Sequence, residues 1–256
     1  MSFLFNGSTQ YAQVATPIVT AVPLTFAAWI YPTTVNTVGE IICIAAADSV
    51  HYFTLRKNNA SIEMVTRGAQ TRTATSGATL VANTWYHVCA VTSAIDSRAA
   101  YVNGGNKGTN SQTTTPTVTG GQTSLARRGG TSATNYFPGR IAEAAIWNAA
   151  LTDAEVAALA IGIEPSFIRH ANLVAYLPLL CHSSAWNGTN ESGNVIDVKR
   201  AGGWNISPAS PNGPTSAEHA RIIYGSRSRA VKPPITYQPG WSGFCIEQMF
   251  GGALVS

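Results

Sequence analysis

The chain is short of charge. Asp, Glu, Lys and Arg make up 11% of its 256 residues, against about 25% in an ordinary soluble domain. Hydrophobic residues reach 45%, so this is not the charged, hydrophobic-poor composition of a disordered chain. No run of 18 apolar residues occurs, and no segment is expected to span a membrane as a helix. The start, MSFLFNGSTQY, has neither a basic n-region nor a long apolar h-region. That predicts an intracellular product, or one released by lysis, rather than ordinary secretion. The four cysteines, Cys43, Cys89, Cys181 and Cys245, form no CxxC pair, so the ligand spacing of structural zinc is missing. Disulfides are possible but not required. HExxH is absent, and His51, His170, His182 and His219 are scattered. GGQTSLARRGG has glycines but neither a preceding Rossmann strand nor a Lys-Ser/Thr end, so no phosphate loop is expected.

What charge there is gives a net +4, from 16 Lys plus Arg against 12 Asp plus Glu. That excess makes no case for nucleic acid. Arg221, Arg227, Arg229 and Lys232 follow one another with no carboxylate between them, as in a solvated or partner-facing arm.

Most of the first 150 residues read as short apolar, aromatic or β-branched runs broken by Asn, Gly, Asp and Pro. That pattern predicts an all-β sandwich. The runs are FLFNG, YAQVA (11–15), LTFAAWIYP (24–32), EIICIAA (40–46), YFTLR (52–56), SIEMVTR (61–67), WYHVCAVT (85–92), SRAAYVNG (97–104) and FPGRIAEAAIWNAAL (137–151). Cys43 and Cys89 lie within such runs and are expected to be buried and free. Asn103-Gly104 predicts a hairpin turn, and residues 109–121 an exposed loop or edge strand. One helix is predicted in LTDAEVAALAIG, with Thr152 as cap, Glu155 as its capping-box partner and Gly162 closing it. After Pro165, LVAYLPLL (173–180) reads as one more strand, and GGWNISPASPNGP as irregular chain. In the last stretch Trp241, Phe244, Ile246, Met249 and Phe250 call for burial, on this chain or another.

Four stretches resemble the laminin-G-like, concanavalin A-like lectin/glucanase superfamily, in order and spacing, over about residues 3–162. They are FNGSTQY (5–11), LTFAAWIYP, NTWYHVCAVTSAIDSRAAYVNGGNKG (83–108) and FPGRIAEAAIWNAALTDAEVAAL (137–159). The resemblance implies an antiparallel jelly-roll β-sandwich over 1–164 with one short helix. Trp29 would be an inner-face anchor, and Tyr31, Trp85, Tyr101, Ile141 and Trp147 would help fill the space between the sheets. Residues 165–256 would form an irregular C-terminal extension. Its strand 173–180 resembles the strand that usually opens such a module. It would complete the sandwich as a permuted strand, the preferred expectation, or swap onto a neighbouring subunit.

Hydrolases of the superfamily need paired carboxylates about 5–10 Å apart. Here Glu40, Glu63 and Glu143 stand singly on strand-like segments, and no Glu-x-Asp-x-x-Glu occurs. No catalytic residue is therefore assigned. Glu143 is expected to be structural, salt-bridged to Arg140, and His87 to be a structural strand residue. Calcium is the cofactor the resemblance suggests. With only Asp48, Asp96 and Asn103 in the loops that could ligate it, no cofactor and no metal ligand is assigned.

Modules of this kind also occur in bacterial surface and bacteriophage virion proteins. The resemblance, the low charge and the apolar tail lead to a first expectation. The chain is a non-enzymatic structural protein of a phage virion surface, as capsid decoration, fibre or tail protein, assembled in the host cytoplasm. It would be a homo-oligomer, without nucleic acid or membrane partners. It would attach to major capsid or tail subunits through Arg221, Arg227, Arg229, Trp241, Phe244 and Phe250. The alternative is an extracellular lectin-like adhesion module for cell-surface glycan, with Asn58, Asn59, Arg127, Asn135 and Tyr136 at its rim.

Overall fold

The computed structural model describes residues 2–131, 133–179 and 205–207. Two antiparallel sheets of seven strands each stack face to face. The first sheet contains β1 (Phe3–Asn6), β3 (Leu24–Pro32), β8 (Tyr86–Ala94), β9 (Ser97–Val102), β10 (Gly105–Asn110), β12 (Pro138–Trp147) and β13 (Leu173–Leu177). Its order is β1-β12-β3-β8-β9-β10, and β13 also lies on β12. The second holds β2 (Tyr11–Val14), β4 (Val38–Ala45), β5 (Tyr52–Asn58), β6 (Ser61–Arg67), β7 (Thr71–Thr75), β11 (Gln122–Leu125) and β14 (Asn205–Ser207). Its order is β14-β2-β11-β4-β5-β6-β7. This is an all-β jelly-roll sandwich with one short helix, α1 (Asp153–Ala160).

Strand alternation decides what lies between the sheets. Along β3, Leu24, Phe26, Ala28 and Ile30 face the other sheet, together with Phe3, Phe53, Phe137 and Ile141. Successive side chains point to opposite faces, so Ala27 and Trp29 face outward. Trp29 packs with Ala142 and Trp85 on that outer side. Tyr101 and Trp147 lie outside as well, packed with Val156 and Leu159 of α1. Tyr31 and Trp85 pair with ring centroids 5.5 Å apart, and both are only half-buried. Of the six residues expected to fill the gap, only Ile141 does so. Tyr101 and Trp147 instead build the layer on which the helix rests, and Trp29, Tyr31 and Trp85 form a second aromatic group on the same outer face.

Helix α1 starts at the predicted capping box, with reciprocal Thr152–Glu155 bonds. It ends where Gly162 (φ +93) donates to Leu159 O and Ile163 to Ala158 O, a Schellman closure. The predicted hairpin joins β9 to β10 through Asn103 and Gly104, both at positive φ. Added to Gly104, a Cβ would stand 2.9 Å from Ala157 Cα, so glycine also lets the helix settle on this turn.

Strand β13 pairs with Ala144–Trp147 of the same chain, and β1 with Pro138–Ile141. The two share one edge of β12. Between them Glu143, at φ +51, sits in a register shift between Ala142 and Ala145. Arg221, Arg227, Arg229, Trp241, Phe244 and Phe250, like Cys181 and Cys245, lie outside the described residues.

Candidate functional site

The outer face of the second sheet carries the polar residues that the sequence places at a rim. In YAQVA, Ala12 and Val14 are core residues, so alternation turns Tyr11 and Gln13 outward. After β11 the chain reverses at Ala126 (φ +62) and folds back along β4. Ala126 N–H donates to Ile41 O, Phe137 N–H to Ala126 O, and Glu40 N–H to Asn135 O at 2.8 Å. Gly130, at φ +102, passes so close to Ser49 that a Cβ would stand 2.0 Å from its Oγ.

This returning loop delivers Arg127, Asn135 and Tyr136. Arg127 is 8% exposed. Its guanidinium carbon lies 3.3 Å from the Tyr11 ring centroid, and Nη2 donates to Gln13 Oε1 at 2.5 Å. Tyr11 and Tyr136 are half-buried, with centroids 6.3 Å apart and planes tilted by 58°. Asn135 donates its side-chain amide to Glu40 Oε1 at 3.1 Å. Glu40 is fully buried, and its other oxygen accepts from Thr54 Oγ1. Two hydrogen bonds and the neighbouring Arg56 compensate the cost of burying that carboxylate.

Glu40 stands opposite Arg56, which stands opposite Glu63. Arg56 binds Glu63 at 2.7 Å, and Asn58 donates to Glu63 Oε1 at 3.0 Å. Asn59 occupies the β5–β6 turn at φ +51. The structure therefore puts all five expected rim residues on one side of the molecule. Arg127, Asn135 and Tyr136 form one cluster, and Asn58 joins it through the Glu40–Arg56–Glu63 row. Tyr11, Gln13, Glu40 and Glu63 belong to the same surface and escaped the sequence reading. Alternation in YAQVA was the signal available for Tyr11 and Gln13.

Beneath the loop, Cys43, Ala45, Tyr52 and Val65 form a small buried cluster. Both described cysteines are free and buried, as expected. Burial pushes the Cys43 and Cys89 thiols well above their ordinary value. These are packing residues, not thiolate nucleophiles.

On the first sheet, Glu143 and His87 are 3% and 2% exposed. Glu143 is met by the Tyr176 hydroxyl and not by the expected Arg140. The two stand three positions apart, which regular alternation would set on opposite faces. The bulge turns Glu143 under α1, beside Ala27, Trp29 and His87. His87 packs edge-on against Trp29 at 5.5 Å. Among the described residues no cluster of three or more His, Cys, Asp or Glu could hold a metal ion. None of their helices is long and apolar enough to cross a membrane.

The family model described as the concanavalin A-like lectin/glucanases superfamily matches residues 6–157. No curated protein matches the chain. Among similar solved structures is a sialidase CBM40 module of Ruminococcus gnavus bound to α2,3-sialyllactose. It is 16% identical, with a TM-score of 0.54, over 62% of this chain and 96% of that one. Domain 4 of an extracellular GH43 arabinanase from Geobacillus stearothermophilus, in complex with arabinotriose, is 19% identical. Its TM-score is 0.51, over 62% of this chain and 76% of that one. Identities this low speak for the fold alone.

Proposed function

Because the chain belongs to the concanavalin A-like lectin/glucanases superfamily, we propose that it is a non-catalytic glycan-binding module. Its site is the outer face of the second sheet around Tyr11, Tyr136, Asn135 and Arg127. The observation that carries this reading is the half-exposed pair of tyrosine rings 6.3 Å apart, flanked by an amide that Glu40 holds in place. A sugar ring offers an apolar C–H face and equatorial hydroxyls. An aromatic ring takes the first, and planar amide and guanidinium groups take the second. Fixing those groups beforehand lowers the ordering cost of binding. Two of the solved structures of this fold hold oligosaccharides, which is consistent with a short glycan as the ligand.

No step of hydrolysis is assigned. Glu40 is enclosed and Glu63 is paired with Arg56, so neither stands free to act as acid or base. The virion expectation rested on the resemblance, the low charge and the tail, and its attachment residues lie outside the described ones. No observation favours it over the glycan reading, which takes its place. The test is affinity electrophoresis of the full chain through gels containing soluble polysaccharides. Retardation in one or more gels, lost in Tyr136→Ala and Tyr11→Ala with the fold intact, is the expected result. Retardation unchanged by both substitutions would move the site elsewhere, and none in any gel would remove the reading.

A further inference from the structure

A groove of about 240 Å³ opens on the outer face of the other sheet, at the β8–β9–β10 end. The sequence builds it by letting the helix start late. The Thr152 cap fixes the first turn at Asp153, and the Asn103–Gly104 turn seats the helix above β9 and β10. The strand ends beyond the cap are left open. Val91, Ala99 and Tyr101 form a floor of buried, mostly apolar surface. Lys107 and Thr109 of β10 stand on one side and Asp153 on the other. At the hairpin end, Ser93 Oγ donates to Ser97 Oγ at 2.8 Å, and both residues are exposed.

The charged side chains that line this groove are Asp96, Arg98, Lys107 and Asp153, two of each sign. Lys107 Nζ lies 2.9 and 3.0 Å from the two Asp153 oxygens, and Tyr101 O–H donates to Asp153 Oδ1 at 2.8 Å. Arg98 below gives Nη1 to Asn110 and the Gln112 carbonyl and Nη2 to the Ile95 carbonyl, while its Nε meets no hydrogen-bond partner. An ionic ligand at the Lys107–Asp153 pair would have to break it. A neutral ligand with many hydroxyls can bond the outer lone pairs and protons of both partners without separating them. The volume sits below the roughly 300–1,000 Å³ of drug-sized sites, which suits one six-membered ring and not an extended chain.

We propose that this groove is a second glycan subsite that seats a single neutral hexose ring. The apolar face of the sugar rests on Val91 and Ala99 beside the Tyr101 ring, and its hydroxyls meet Ser93, Ser97 and the Lys107–Asp153 pair. The inference takes its ligand class from the glycan-binding reading and shares none of that site's residues.

The test is amide NMR of the isotope-labelled full chain titrated with the methyl glycosides of glucose, galactose and mannose. The expected result is saturable shifts at Ser93, Ser97, Lys107 and Thr109 with at least one sugar. Ala99→Phe, which fills the floor, weakens that binding at least about tenfold. Thr109→Trp, on an exposed wall where folding is not at stake, does the same, and Tyr136→Ala leaves it unchanged. Shifts confined to Asn135 and Tyr136 would overturn the groove and leave the glycan reading standing. No shift at the groove with any of the three sugars, when polysaccharide gels retard the chain, would do the same. Neither shifts nor retardation would remove both.

Discussion

Glu143 and His87 line one small cavity of about 10 Å³ under α1, close to the room one water needs. Glu143 Oε1 and His87 Nδ1 face no hydrogen-bond partner. Burial pushes Glu143 up from 4.5 to about 7 and His87 down from 6.5 to about 3. Between pH 4.5 and 7 the folded chain keeps a proton on Glu143 that the unfolded chain has released. Stability therefore falls as pH rises through that window, and the loss is complete above it. For His87 the sign reverses. The unfolded chain holds the extra proton between pH 3 and 6.5, so stability rises with pH there. Glu143→Gln keeps an acceptor for Tyr176 and removes the titration. Its unfolding free energy from urea titration should gain on the parent as pH rises from about 5 to about 8, by up to roughly 2–3 kcal/mol. Identical pH slopes for variant and parent would contradict this. His87→Gln should flatten the acidic limb instead. At this scale the sequence said which residues were odd but not where they stood. Glu143 read as a partner of Arg140, whereas the bulge sets it under α1 with Tyr176 as its partner. Trp29 read as core until strand alternation put Phe26 and Ile30 on that face. Asn135 meets Glu40 across 95 positions, a pairing that no spacing rule reaches.

The elements that punctuate themselves were the legible ones. The Thr152–Glu155 box and Gly162 marked the helix, and Asn103-Gly104 marked the hairpin. Strand β7, TRTAT, is polar and buries only Ala74, and β10, GNKGTN, carries no apolar alternation. Both are edge strands, held by their neighbours and not by their own pattern. Glycine is what lets those edges meet. A Cβ on Gly108 would stand 1.6 Å from Thr75 O, so Gly108→Ala must pry β10 from β7. We expect a loss of at least about 1–3 kcal/mol, read by thermal unfolding. Thr152→Ala should cost about 1 kcal/mol through the lost cap. It should also loosen the Asp153 side of the groove, so hexose shifts there should shrink in the same variant. A Thr152→Ala protein as stable as its parent would show that the helix is held by packing on Trp147 and Tyr101 alone.

The whole molecule presents two sheets with different outward faces. One is layered with aromatics and capped by the helix. The other is a polar surface of arginine, tyrosine, amide and carboxylate side chains fixed by their mutual bonds. Charged side chains stand on both sides: Lys107–Asp153 and Arg169–Glu155 pair around the helix, and a second group lies on the other sheet. Arg56, Arg67, Arg127 and Arg128 stand on the second sheet or its loop, with Glu40 and Glu63 between them. The most direct measurement is binding of the labelled full chain to a printed array of defined glycans, beside Tyr11→Ala and Tyr136→Ala. The account predicts binding to a restricted set of related glycans, weakened at least about tenfold in both variants while their thermal unfolding stays within a few degrees of the parent. A folded parent that binds no glycan, and instead sediments at fixed copy number with large particles from its source, would contradict it.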